Sequence, residues 1–178
     1  MLRPSQVATL LTCAALVGLP CQWLAWAKGR TVAPPAPDLA DGQAAKVAKV
    51  IDGDTLDLTL PDGRTFRLRV RGIDCPESKA NPKCRRGGAA KCRAEVPRGQ
   101  EATVRARAMA AAGASVRIEG PAGRDRYGRA LGYVRLPDGR DFGLALVQAG
   151  LCLDYSKRYP HPRSEAYRAA QAQVRRAP

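Results

Sequence analysis

Two short stretches in the first half of the chain alternate apolar and polar residues strictly, and this period of two constrains the fold more than any other feature. Leu56, Leu58 and Leu60 alternate with Thr55, Asp57 and Thr59; after Pro61-Asp62-Gly63 the pattern resumes with Phe66, Leu68 and Val70 against Arg67, Arg69 and Arg71. Successive side chains of a strand point to opposite faces, so each stretch reads as a half-buried strand and the Pro-Asp-Gly triplet as the turn between them. The second strand thereby carries three guanidinium groups on one face. Residues 47–51, 115–119 and 130–136 read as three further short strands. Leu136-Pro137-Asp138-Gly139-Arg140 repeats Leu60-Pro61-Asp62-Gly63-Arg64, which is shared turn chemistry and not a duplicated unit.

Helical patterns separate and follow these strands. Residues 97–113 place Val104, Ala108 and Ala112 along one expected inward stripe, with Glu101 four residues before Arg105 and Gly113 as a stop. A second helix fits Asp141 as N-cap, with Leu144 and Val147 inward and Gly150 at its end; a third fits Ser164 as N-cap, with Ala166, Ala169 and Ala170 inward. Five strands with a helix after the third and further helices at the end predict a small closed β-barrel with about three helices, an OB-fold of the α+β class. The 178 residues suffice for one such domain, and no 20–50-residue repeat, collagen period or heptad run competes with it.

Residues 4–27 carry no charge and lie between Arg3 and Lys28, and Ala25-Trp26-Ala27 is a small-x-small cleavage pattern. Residues 1–27 therefore read as a signal peptide, a targeting helix whose removal leaves a chain beginning at Lys28; the alternative is an uncleaved membrane anchor. Either reading puts the domain outside the cytoplasm, periplasmic or secreted. Residues 28–43 are a Pro/Ala-rich linker, and the folded domain occupies residues 44–178. Cys75, Cys84, Cys92 and Cys152 fall in the domain, and in an oxidising compartment four cysteines allow three pairings. Gly87-Gly88 between Cys84 and Cys92 favours that pair, leaving Cys75 with Cys152. Zinc is disfavoured, because there is no C-x-x-C pair and the one histidine lies far away between Pro160 and Pro162.

The formal net charge is +14, and from Ala44 onward 27 basic residues face 14 acidic ones, with Arg far ahead of Lys. Such a field favours a polyanionic partner, and the arginine fork matches phosphate. Within this basic chain, acidic groups gather at three short motifs: Asp52-Gly53-Asp54-Thr55, Arg69 to Glu77 (RVRGIDCPE), and Asp125-Arg126-Tyr127-Gly128-Arg129. Carboxylates clustered near strand ends suit a hard divalent cation that takes oxygen ligands.

In this order, D-G-D-T, R-x-x-G-I-D-x-P-E and D-R-Y-G-R resemble the thermonuclease family, the staphylococcal nuclease-like domains, over residues 46–174. The resemblance implies an OB-fold enzyme that uses Ca²⁺ to hydrolyse DNA and RNA phosphodiesters and leaves 3′-phosphate ends. It implies Asp54 and Asp74 as Ca²⁺ ligands together with the backbone carbonyl of Cys75, and Asp52 as an outer-sphere carboxylate. It implies Glu77 as general base, and Arg69 and Arg129 as the groups that hold the scissile phosphate; Arg69 has the family spacing of five residues before Asp74. Arg126, Tyr127 and Tyr155 are further substrate-contact candidates, and Tyr159 competes with Tyr155 for that part. Where the family usually has Thr or Ala, this chain has Cys75, which puts sulfur beside the site. The resemblance implies no small-molecule cofactor beyond the cation and no obligate protein partner. Lys79, Lys83, Arg85, Arg86, Lys91 and Arg93 form a candidate phosphate-tracking rim beside Glu77. The competing readings are a non-catalytic nucleic-acid-binding OB-fold module and a cationic binder of anionic envelope polymers.

Overall fold

The alternation turns inward as expected: Leu56, Leu58, Phe66, Leu68 and Val70 are buried in one core, while Arg67 and Arg69 occupy the other face half-buried. In the computed structural model, which describes residues 37–176, strands β1 (Gln43–Asp52), β2 (Thr55–Thr59) and β3 (Thr65–Val70) form an antiparallel meander. Strand β6 (Ala130–Arg135) pairs in parallel with β3 and antiparallel with β5 (Ser115–Glu119), and β5 returns to β1, so the order β1-β2-β3-β6-β5 closes a five-stranded barrel. Closure leaves the barrel itself without an edge strand. The interior is filled by Val47, Leu56, Leu58, Leu68, Val70, Ile118 and Val134, each burial stabilising by about 1.5–3 kcal/mol.

One further pairing lies outside the barrel. The two-residue strands β4 (Ile73–Asp74) and β7 (Leu153–Asp154) form a short antiparallel ladder that ties the segment after β3 to the C-terminal region. No hydrophobic period announces elements this short. Ahead of β1 the chain is also held on the barrel: Leu39 packs against the core, and Asp41 accepts a 2.7 Å hydrogen bond from Gly120 N–H. The targeting segment and residues 28–36 of the linker lie outside the described residues. Among the described residues, no helix is long and apolar enough to cross a membrane.

The three expected helices are present, joined by a one-turn helix α1 (Pro82–Arg85). Helix α2 (Ala89–Met109) starts eight residues earlier than expected and buries Cys92, Gly99, Ala102, Thr103 and Ala106, while Val104 is 65% exposed and Ala108 and Ala112 face solvent. Its small residues select the packing face because they let the helix approach the barrel closely; the wider stripe read from Val104 points away. Pro97, read as a helix start, lies inside the helix. Helix α3 (Phe142–Gln148) is capped as expected, the Asp141 carboxylate accepting Leu144 N–H at 3.0 Å, and it buries Phe142, Leu146 and Val147. In helix α4 (Ser164–Arg176), Ser164 bonds backward to His161 in place of capping forward; Ala170 faces the core as expected, and Tyr167 takes the place expected for Ala166 and Ala169, which are exposed. Tyr167 wins that face because its hydroxyl donates to the buried Asp141 carboxylate at 2.8 Å.

Both disulfides of the favoured pairing form: Cys75–Cys152 across 77 residues and Cys84–Cys92 across 8. The entropy removed from the unfolded chain grows with the loop closed. Replacing Cys75 and Cys152 together by Ala should therefore cost about 4 kcal/mol in urea unfolding, against about 2 kcal/mol for Cys84 with Cys92. Equal losses would show that loop closure does not govern their contribution.

Candidate active site

Asp54 stands at the turn from β1 to β2, only 4% exposed. Its Oδ2 accepts Cys75 N–H at 2.9 Å, its Oδ1 accepts the Thr55 hydroxyl at 3.1 Å, and it forms an ion pair with Arg69 Nη1. The same guanidinium donates through Nη2 to Asp74 Oδ1 and to the Ile73 carbonyl, both at 3.1 Å. Strand β3 presents Arg69 on its outward face, and the turn through Arg71-Gly72 brings Ile73 and Asp74 back beside it. One guanidinium thus bridges two carboxylates and a carbonyl that come from two separate motifs.

The turn itself explains its glycine. A Cβ at Gly53 would lie 2.9 Å from Cys75 Sγ and 3.2 Å from Ala102 Cβ, so the Cys75–Cys152 disulfide and helix α2 both close on this backbone. The β1–β2 register slips by one residue between Val50 and Asp52, as at a bulge, and Asp52 Oδ1 accepts Asp54 N–H at 3.2 Å. Burial raises the Asp52 pKa above its ordinary value; the Thr55 hydrogen bond and the charges of Arg69 and Arg129 oppose this, and the charge of Glu77 adds to it. Asp52 therefore marks a point within electrostatic reach of Arg69, Glu77 and Arg129.

Arg129 reaches that point from the loop before β6. Asp125 Oδ1 accepts the backbone N–H of Tyr127 at 2.8 Å and of Arg129 at 3.0 Å, and Oδ2 accepts Arg129 Nε at 2.7 Å. Burial works to raise the Asp125 pKa, but these bonds outweigh it and hold it low. Arg129 Nη1 extends to Thr55 Oγ1 at 3.4 Å, completing a chain from Arg129 through Thr55 and Asp54 to Arg69. Burial lowers the Arg69 pKa; Asp74 and Asp52 oppose this, and Arg129 reinforces it.

Glu77 lies beyond Pro76, on a loop that helix α2 approaches so closely that a Cβ at Gly99 would fall 2.4 Å from the Glu77 carbonyl carbon and oxygen. Its N–H donates to Glu95 Oε1 at 3.1 Å, and its Oε2 accepts Asn81 Nδ2 at 2.6 Å. Asn81 in turn caps α1, its Oδ1 taking Cys84 N–H at 2.8 Å. Thr55, Asn81, Glu95 and Asp125 all position site residues, and the sequence reading gave none of them a role. Asn81 before Pro82 was a readable helix-start signal.

Of the substrate-contact candidates, Tyr127 is 67% exposed, with the guanidinium carbons of Arg126 and Arg129 4.8 and 5.5 Å from its ring centre. Tyr155 is half-buried; its N–H donates to the Gly72 carbonyl at 2.8 Å and its ring lies 5.3 Å from that of Tyr159. Cys75 carries no thiol, since its sulfur is in the disulfide.

Residues 67–177 match the model of the staphylococcal nuclease homologue family. The chain belongs to this family. Family membership makes it a nuclease-type domain, and the match begins within β3, so Asp52 and Asp54 precede it. The chain is 30% identical over 142 residues to Endonuclease YhcR of Bacillus subtilis (strain 168), covering 79% of this chain and 11% of that protein. It is 30% identical over 117 residues to a protein of Escherichia coli O157:H7 named uncharacterized endonuclease, covering 66% and 64%. With the succinoglycan biosynthesis protein ExoI of Rhizobium meliloti (strain 1021) it shares 34% over 107 residues, covering 60% and 50%. The chain spans less than two thirds of the length of each of these relatives.

The donor set of this nuclease-family site suits calcium in kind: Asp54, Asp74 and the neighbouring carbonyls are all hard oxygen ligands, and they already converge on one cationic group, the Arg69 guanidinium. Among the described residues, no three His, Cys, Asp or Glu side chains lie close enough to hold a metal ion by themselves. An ion there has to draw ligands from carbonyls, water or phosphate as well.

The raised pKa of Asp52 has a thermodynamic consequence. The proton is bound more tightly in the folded state, so stability is lost as pH rises from the ordinary value of 3.8 through the raised one. Asp52→Asn keeps the acceptor for Asp54 N–H without the half-buried charge. It should be more stable than the parent at pH 7, with the gap closing below about pH 4; urea midpoints across this range test it, and a gap independent of pH would contradict it.

Proposed function

We propose that the protein is an exported, Ca²⁺-dependent nuclease that hydrolyses DNA and RNA phosphodiesters and leaves 3′-phosphate ends. The observation that supports this reading is the linked set of Arg69, shared between Asp54 and Asp74, and Arg129, joined to Asp54 through Thr55. A guanidinium that bridges carboxylate oxygens presents the same planar fork to phosphate oxygens.

Arg69 and Arg129 hold the non-bridging oxygens of the scissile phosphate, where negative charge grows in the transition state. Asp125 and Thr55 keep Arg129 aimed. Glu77, oriented by Asn81 and Glu95, accepts the proton of the attacking water as its oxygen bonds to phosphorus and the bond to the 5′-oxygen breaks, the leaving oxygen taking its proton from solvent water. Asp54, Asp74 and the Cys75 carbonyl would hold Ca²⁺, with Asp52 behind them, and the ion when bound adds Lewis-acid charge at the phosphate. Export is supported by two disulfides, which persist in oxidising compartments, and by the uncharged stretch before Lys28.

Denatured DNA incubated with the protein in Ca²⁺ should be cleaved to 3′-phosphate ends, and a calcium chelator should stop cleavage. Glu77→Gln should lower kcat by ~10²–10⁴ while leaving DNA binding intact. Turnover retained in Glu77→Gln would remove Glu77 from the role of base, and calcium-independent binding without cleavage would favour the binding-module reading.

A further inference from the structure

Residues 78–94 contain six basic residues and no acidic one. This differs from much of the surface, where arginines are matched by nearby acids: Arg64 with Asp62, Arg67 with Asp57, Arg135 with Glu119, Arg140 with Asp138. On α1 and the first turns of α2, Arg85, Arg86, Lys91 and Arg93 are exposed, and α2 has no acidic residue in its first turn.

The segment is also rigidly built. Cys84–Cys92 joins α1 to α2, Asn81 caps α1, and backbone bonds run from Gly88 N to Arg85 O and from Cys92 N to Gly88 O. Its order exists before any ligand arrives, so a ligand need not supply it. Asn81 Nδ2 donates to Glu77 Oε2 at 2.6 Å, so the cations stand on the flank of the site next to Glu77. A cross-linked segment with six cations and no acid of its own, bounded by Glu77 and Glu95 and standing beside groups suited to phosphate, matches an extended chain of phosphates better than a compact anion.

We infer that this disulfide-closed loop is an auxiliary binding surface for the sugar–phosphate backbone of a long polynucleotide, engaging phosphates several nucleotides from the bond that is cut. The inference rests on the nuclease reading above and adds a substrate-length preference: short oligonucleotides fill only the site, and long strands reach the loop as well. Because backbone contacts of this kind carry no base information, the preference is independent of sequence.

The test uses the full-length, oxidised protein in three forms besides the parent. One carries Arg85→Ala, Arg86→Ala, Lys91→Ala and Arg93→Ala. A charge-matched control carries Lys49→Ala, Arg105→Ala, Arg107→Ala and Arg117→Ala. A charge-keeping form carries Arg85→Lys, Arg86→Lys and Arg93→Lys. Binding to a long fluorescent oligothymidylate and to a trinucleotide is measured in a calcium chelator over a salt series, so that it does not depend on cleavage.

In the loop variant the Kd for the long strand should rise roughly tenfold, and the slope of log affinity against log salt should flatten by about 2–3, near 0.7 per lost contact. Trinucleotide binding should not change, and the charge-keeping form should follow the parent. Equal weakening in the loop variant and the control, or no weakening in either, would overturn the proposal. Turnover of long DNA in Ca²⁺ separates the two readings: loop-dependent binding without any cleavage sinks the nuclease and leaves the surface, whereas cleavage with an unchanged KM in the loop variant sinks the surface alone.

Discussion

The buried carboxylate of Asp54 organises the site end of the barrel. An ionised carboxylate that is 4% exposed is costly unless it is paired and hydrogen-bonded, and here it takes the Arg69 guanidinium, the Cys75 N–H and the Thr55 hydroxyl. Those three partners come from β3, from the segment after it and from the start of β2, so satisfying one charge fixes three pieces of chain. Thr55 passes the constraint on to Arg129, and Arg69 passes it to Asp74. The geometry proposed for phosphate chemistry and the geometry that makes the buried acid tolerable are therefore one arrangement.

Covalent and steric constraints hold that arrangement from behind. Cys75–Cys152 fastens the loop that supplies the N–H to Asp54, and the β4–β7 ladder runs beside it. Gly53 and Gly99 are the points where this loop and helix α2 approach too closely for a side chain. The cysteine that departs from the family pattern thus leaves its backbone amide available to Asp54 while its sulfur adds a staple. A sheltered core of this kind suits a domain working in an oxidising medium, where the bond persists.

What was legible in the sequence follows from how local each signal is. The five barrel strands were readable because a period of two survives in segments as short as Leu56–Leu60, and Asp141 announced helix α3 because capping is decided within four residues. The face of α2 was not readable: Gly99, Ala102 and Ala106 are buried for being small, and hydrophobicity gave more weight to Val104. Strands β4 and β7 depend on a partner some eighty residues away and have no pattern of their own. In the candidate site, motif order singled out Asp54, Arg69, Asp74, Glu77 and Arg129, of which Asp54, Arg69 and Asp74 meet directly and Arg129 joins them through Thr55. It was silent on Asn81, Glu95 and Asp125, whose part is to orient others and which become visible only when distances are known.

The charge of the chain divides into two populations with different physics. Arginines at the barrel's end, such as Arg69 and Arg129, are partly buried and held by acids, so their directions are set before a ligand arrives and the proposed exchange of carboxylate for phosphate oxygens needs little reordering. Lys79, Arg85, Arg86, Lys91 and Arg93 are exposed in a segment that has no acid of its own, so they contribute through a field that salt screens over about 8–10 Å. Orientation belongs to the first population and capture to the second. The Asn81 amide is the point where they meet, since one side chain caps the helix that carries the capturing cations and holds the carboxylate of Glu77. A chain this basic could have spread its charge evenly; gathering part of it on a disulfide-closed loop joined to Glu77 would, on the proposed reading, couple the arrival of a polyanion to the place where chemistry is arranged.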